Sequence, residues 1–201
     1  KENGFHGSRG EYYHHANSYV NQVLDDREGL PITLSVLFIE LARRLKIPEV
    51  FGAAMTGKFM VGVSVLSGEK KEAIFFDVFD AGKTHDRASA ARLAFELTGS
   101  DPEESAFGPS GSKDIAVRML RNLVDLEINR RQTPEQAEGY LELLLAIEPD
   151  SAYERFQRAI LRIQSSKIKG AREDLDWLLE NRPPGLDYSR LEQFRESLPA
   201  E

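Results

Sequence analysis

Three arginines, Arg155, Arg158 and Arg162, recur at i, i+3 and i+7, and Arg118 and Arg121 repeat the i, i+3 step on an earlier helical stretch. Each set falls on one face of a helix. Guanidinium forks so arranged can hold carboxylates by paired hydrogen bonds, so the chemistry on offer is recognition of an acidic peptide or a C-terminal carboxylate. A solvated face paired with Glu154 and its neighbours is the plainer alternative.

Nucleophilic and metal chemistry is thinly supplied. The 201 residues include no cysteine, which excludes disulfides, thiolate zinc sites and cysteine nucleophiles. Glu11, His14 and His15 are a conceivable start to a metal site, but adjacent side chains point apart on a strand and diverge by about 100° on a helix. His85 lies in the polar run Gly82-Lys83-Thr84-His85-Asp86. Gly4, Gly7 and Gly10 precede no strand, and Gly108-Pro109-Ser110-Gly111 lacks the lysine of a phosphate loop. We therefore expect no metal and no cofactor.

Composition sets the class. With 41% hydrophobic residues the chain can build a core, and a net charge of −7 argues against nonspecific nucleic-acid binding. Glu40, Arg43 and Arg44 interrupt apolar stretches far shorter than the roughly 20 residues that span a bilayer. We expect no membrane association, no secretory segment and a cytoplasmic location. Residue 1 is Lys rather than Met, which leads us to expect preceding residues absent from this sequence.

The elements that must carry these groups change character along the chain. A short helix is expected over Asn17 to Asp26, capped by Asn17 or Ser18. Pro31 then suits the first turn of the helix ITLSVLFIELARRL, where a missing N–H costs nothing. Leu34, Leu37, Phe38, Leu41, Ala42 and Leu45 make a broad apolar arc, so this helix is expected to be central and largely buried. Three strand-like runs follow, VFGAAM, FMVGVSVL and AIFFDVF, the last two joined by a polar hairpin turn over Ser67 to Glu72. A helix capped by Asp86 runs to Leu97. The Gly-, Ser- and Pro-rich segment GSDPEESAFGPSGS then marks a boundary, giving domains over 1–110 and 111–201.

Beyond the boundary the pattern is helical, and it repeats. Ala137, Leu141, Leu144 and Pro149 recur as Ala171, Leu175, Leu178 and Pro183, all displaced by about 34 residues, the tetratricopeptide period. Arg121 and Arg155 occupy the position usually taken by an aromatic residue in the first helices. A last helix from Tyr188 to Ser197 would cap the stack.

The runs NSYVNQVLDDREGLPITLSVLFIELARRLKIPEVFG, GKFMVGV, FFDVFDAGK and IAVRMLRNLVDLEI, with the repeats, resemble the bacterial SirB-type proteins over about residues 16 to 184. That family joins a transglutaminase-like domain to a tetratricopeptide tail. The resemblance implies an α+β, papain-like core, a buried helix on a small antiparallel sheet, followed by an all-α helical-repeat domain. In active transglutaminase-like enzymes a helix N-terminus carries Cys, the next strand His and the one after Asp, since the helix end and imidazole together lower the thiol pKa. Matched to that pattern, this chain has Pro31 near the cysteine position, Lys58 at the histidine position and Asp77 at the aspartate position.

The resemblance thus implies a cleft from which two of three catalytic functions are missing. Thr33, Ser35, Lys58 and Asp77 are its remnant candidates, with Lys58 and Asp77 expected to form an ion pair on adjacent strands. We read the chain as a non-catalytic protein-binding or regulatory scaffold. Its partner, a protein or acidic peptide, would meet the repeat groove through Arg118, Arg121, Arg155, Arg158 and Arg162. The competing reading is an amide-bond hydrolase or transferase working through a non-cysteine set in the old cleft.

Overall fold

A computed structural model describes residues 4–67 and 70–199. The chain forms two compact units, residues 1–119 and 120–201. The division falls inside a helix, downstream of the Gly/Ser/Pro segment, because Ile115 and Met119 pack with Leu30, Ile32 and Phe59 in the core of the first unit.

The first unit opens with β1 (His6–Gly7) and, after a 3-10 turn at His15–Ser18, continues through α1 (Val20–Asp26), β2 (Glu28–Gly29) and α2 (Pro31–Arg44). The pair β1 and β2 is parallel, with His6 opposite Glu28 and Gly7 opposite Gly29. The Asn17 side chain does not cap α1. Its amide donates to the carbonyls of Glu11 and Tyr12 and so fixes the preceding loop, and the helix starts three residues later than its apolar pattern suggests.

The main sheet is antiparallel throughout, in the order β3 (Val50–Met55), β4 (Lys58–Ser67), β5 (Lys70–Asp77) and β6 (Lys83–His85). The short turn Thr56-Gly57 joins β3 to β4, with Gly57 at φ +77°, where a side chain would be strained. Ser67 pairs with Lys70, so the hairpin expected over Ser67 to Glu72 is present in register, while Gly68 and Glu69 at its tip lie outside the described residues.

Alternation along the strands divides the core. Ala53, Met55, Met60 and Phe75 bury one face against Ala90 of α3 (Arg87–Thr98) and Phe107. Phe59 and Ala54 turn to the other face, toward Leu30, Ile32 and the first turns of α4 (Ser112–Leu126). Asp86 caps α3 by accepting from the Ser89 amide at 2.7 Å. α2 packs on β3 and β4, but its burial is uneven. Ile32, Thr33, Leu34, Ser35 and Ala42 are buried, whereas Phe38, Leu41 and Leu45 are 41%, 59% and 71% exposed. The apolar arc therefore serves the core mainly through its first turns.

The second unit stacks the end of α4, a π turn at Glu127–Arg131, α5 (Pro134–Ile147), α6 (Ala152–Gln164), α7 (Ile168–Asn181) and α8 (Tyr188–Glu196). The 34-residue repeat is the packing pattern: Ala137, Leu141 and Leu144, like Ala171, Leu175 and Leu178, are all at most 1% exposed. Small residues let the helices approach and leucines fill the interior. Leu191 of α8 and Leu198 close the last hairpin against Leu175 and Leu178.

Candidate functional site

Pro31 takes the first helical position of α2, with Leu30 at the cap and no side chain bonding the exposed amides. Two turns of chemistry could start here. The Ser35 hydroxyl, however, donates back to the Pro31 carbonyl at 2.7 Å. Thr33 is fully buried and its hydroxyl has no hydrogen-bond partner among the described residues. Among the described residues neither hydroxyl is hydrogen-bonded to a basic side chain.

Lys58 begins β4 and Asp77 ends β5, which brings their side chains together at one end of the sheet. The Lys58 ammonium forms an ion pair with Asp77 Oδ2. The second oxygen, Oδ1, accepts from the Asp80 amide at 3.1 Å and closes the turn after β5. Both carboxylate oxygens are thus occupied, and the Asp77 side chain is only 3% exposed. The pair neutralises itself where a His–Asp pair would orient an imidazole toward a thiol.

The N-terminal segment covers this end of the sheet. Phe79 lies against Gly7 so closely that a Cβ there would fall 2.4 Å from the ring. Lys58 Nζ is 5.9 Å and the Arg9 guanidinium 6.0 Å from the Phe79 centroid. Tyr12 meets the same ring edge-on at 5.9 Å, and Arg9 pairs with Asp80 at 2.5 Å. Aromatic rings, Phe79 with Tyr12 against it, therefore stand beside Lys58 and Asp77.

The five arginines divide between the two units, Arg118 in the first and the other four in the second. Arg118 belongs to the first unit, where it donates to the Met55 carbonyl at 3.1 Å and stacks over Phe59 with 5.6 Å to the centroid. Arg121 binds Glu154 at 2.6 Å and Glu148 at 3.2 Å. Arg155, Arg158 and Arg162 converge on Asp174. Arg158 grips it with both Nε and Nη2, at 3.0 and 2.6 Å, Arg162 reaches it at 2.9 Å, and Arg155 stands 3.5 Å from it, with its guanidinium 3.9 Å from the Trp177 ring centroid. Each of the three side chains is 14% exposed and Asp174 only 2%.

Sequence reasoning named Glu154 as a partner of these cations and passed over Glu127, Glu138 and Asp174. Glu127, Glu138, Glu154 and Asp174 are all buried in the helical unit. Glu138 receives Arg162 at 2.8 Å and Lys167 at 2.6 Å. Burial pushes its carboxyl up, but those two cations outweigh burial and hold it below its ordinary value. Glu154 behaves alike: burial raises it, and Arg121 together with the Ser151 hydroxyl brings it below. One signal was available, since Ser151-x-x-Glu154 is the capping-box spacing.

The histidines stay apart from all this. His14 and His15 stack at 4.6 Å between ring centroids, and His85 is buried at the end of β6 with Nε2 unpartnered. Among the described residues no three His, Asp or Glu side chains are grouped to hold a metal ion, and no helix is long and apolar enough to cross a membrane.

Comparison with known proteins identifies relatives and two domain families. A UPF0162 protein of Xylella fastidiosa strain 9a5c is 33% identical over 185 residues, covering 90% of this chain and 64% of the relative. The UPF0162 protein PM0557 of Pasteurella multocida is 25% identical over 90% of the chain and 66% of its own length. F-box only protein 21 of Homo sapiens is 29% identical over 73% of the chain and 23% of that protein. The chain thus spans under two thirds of the length of these curated relatives. No solved structure matches it. A tetratricopeptide repeat model matches residues 128–197. Residues 1–121, well over half of the chain, match the transglutaminase-like superfamily model, and to that superfamily the chain belongs.

Proposed function

We propose that this chain is a cytoplasmic, non-catalytic scaffold of the SirB-type group, in which a transglutaminase-like unit without working chemistry is joined to a helical repeat that binds another protein. The observation that carries the reading is the Lys58–Asp77 ion pair, taken with the Ser35 hydroxyl bonded to the Pro31 carbonyl and the Thr33 hydroxyl without a partner among the described residues. Acyl transfer needs a nucleophile and base within hydrogen-bond reach, and the cleft supplies neither relationship.

Tetratricopeptide repeats supply the binding side of the proposal. Arg155, Arg158 and Arg162 already neutralise Asp174, so an acidic partner would bind by exchanging its own carboxylate for that one, with Arg121 at the rim. Arg155→Glu with Arg158→Glu is expected to abolish capture of such a partner while the circular-dichroism spectrum stays helical. A repeat that unfolds in this variant calls for Arg121→Glu, which leaves Asp174 and its three arginines intact. Turnover of amide or ester substrates that disappears in Lys58→Ala and Asp77→Ala, with folding retained, would establish the hydrolase reading instead.

A further inference from the structure

Arg118 stands apart from the other arginines in what it faces. Asp114, one turn earlier on α4, is turned to the helix start, where its carboxylate accepts from the Gly111 amide at 3.2 Å. The nearby acids are already paired, Asp77 with Lys58 and Asp80 with Arg9. Arg118 keeps a single hydrogen bond, to the Met55 carbonyl, and no carboxylate partner among the described residues. Its plane rests on Phe59, and the Tyr12 phenol lies within electrostatic reach.

We propose that Arg118, with Phe59 beneath it, forms a binding site for a single carboxylate of a peptide ligand on the transglutaminase-like unit. The guanidinium fork matches a planar carboxylate with two parallel hydrogen bonds, and a partly desolvated cation lacking a counter-ion gains most from receiving one. Burial lowers the Arg118 pKa, as expected for a cation without a counter-charge. A single guanidinium offers one positive charge and one planar fork, which suits a monoanionic carboxylate better than a phosphate dianion. The Tyr12 ring, 40% exposed, adds apolar surface for the adjoining residue. This site lies wholly within residues 4–119 and does not depend on the repeat groove.

The test is a titration of the full chain followed through the Arg118 Nε–H resonance. The probes are acetyl-Gly-Gly-Phe with a free carboxylate, the same peptide as its amide, acetyl-Gly-Glu-Gly-amide, and inorganic phosphate. A saturable shift with the free carboxylate and none with the amide assigns a C-terminal source. A shift with the glutamate peptide alone assigns a side-chain source. Binding measured by calorimetry should weaken at least tenfold in Arg118→Gln and in Arg118→Lys, which keeps the charge but loses the fork, and less in Tyr12→Phe. No shift with either carboxylate, undiminished binding in both Arg118 variants, or phosphate binding as tightly as the peptides would overturn the proposal.

Discussion

Arg158 holds Asp174 with two parallel hydrogen bonds, Nε to Oδ2 at 3.0 Å and Nη2 to Oδ1 at 2.6 Å, across the hairpin of α6 and α7. Arg162 and Arg155 approach the same carboxylate. One buried acid therefore answers three cations, and loss of the acid differs from loss of any one cation. Asp174→Asn leaves three guanidinium groups without their common counter-charge and is expected to cost about 3–5 kcal/mol. Arg155→Gln removes the longest contact to Asp174, at 3.5 Å, together with a hydrogen bond to the Pro149 carbonyl and the stacking on Trp177, but leaves Asp174 paired with Arg158 and Arg162, and should cost less. Urea unfolding of the two variants checks the order, and equal losses would show that Asp174 is not the hub.

Lys58 and Asp77 form a second asymmetric pair. The Lys58 side chain is 18% exposed and can turn to water, whereas Asp77 is 3% exposed and cannot. Lys58→Met strands the carboxylate and should destabilise by on the order of 3 kcal/mol. Asp77→Asn keeps an oxygen for the Asp80 amide and should cost less. Joined in one chain, the two substitutions should recover much of the Lys58→Met loss, giving a coupling energy readable from a double-mutant cycle. Additive losses would mean that the pair contributes no mutual stabilisation.

The contrast between the two units shows what periodicity can and cannot reveal. The repeat was legible because Ala137, Leu141 and Leu144 and their counterparts 34 residues on are the interior of the helical unit. Strand limits were legible to within a few residues because alternation reports which face is buried. Periodicity along α2 marks an apolar arc but not how far the sheet extends beneath it, so Phe38, Leu41 and Leu45 were expected inside and lie exposed. Arginine spacing likewise gave the shared face of α6 correctly, yet not what the face meets. Asp174 is 12 to 19 residues away in sequence, and a pairing of that kind is written in packing, not in local pattern. Pro31 and Lys58 at the expected cysteine and histidine positions were readable through family resemblance, while the contact of Phe79 with Gly7 carried no sequence signal.

The buried glutamates set the response to acid. Glu138 and Glu154 titrate below their ordinary value in the folded chain, so protons bind the unfolded chain first. The stability they contribute is complete above the unfolded carboxylate value, near pH 4.5, and is lost as pH falls through the lower folded values. Thermal melts between pH 7 and pH 3 should show the helical signal weakening below about pH 4.5. In a Glu138→Gln, Glu154→Gln double variant that acid limb should flatten, at the cost of lower stability at neutral pH. An unchanged limb would place the acid sensitivity in other groups.

Gly7 bears on the covered end of the sheet directly. A methyl group there would sit 2.4 Å from Phe79 Cδ2, well inside contact distance, so the ring must move. Gly7→Ala is accordingly expected to cost about 1–3 kcal/mol, the range for overpacking a filled site. Moving the ring also withdraws it from Lys58 and Tyr12, each of which touches it at 5.9 Å. Phe79→Ala should therefore remove most of the penalty, so that Gly7→Ala added to Phe79→Ala costs little beyond the latter alone. A full additional loss in the double variant would locate the strain in the β1 backbone rather than in the ring.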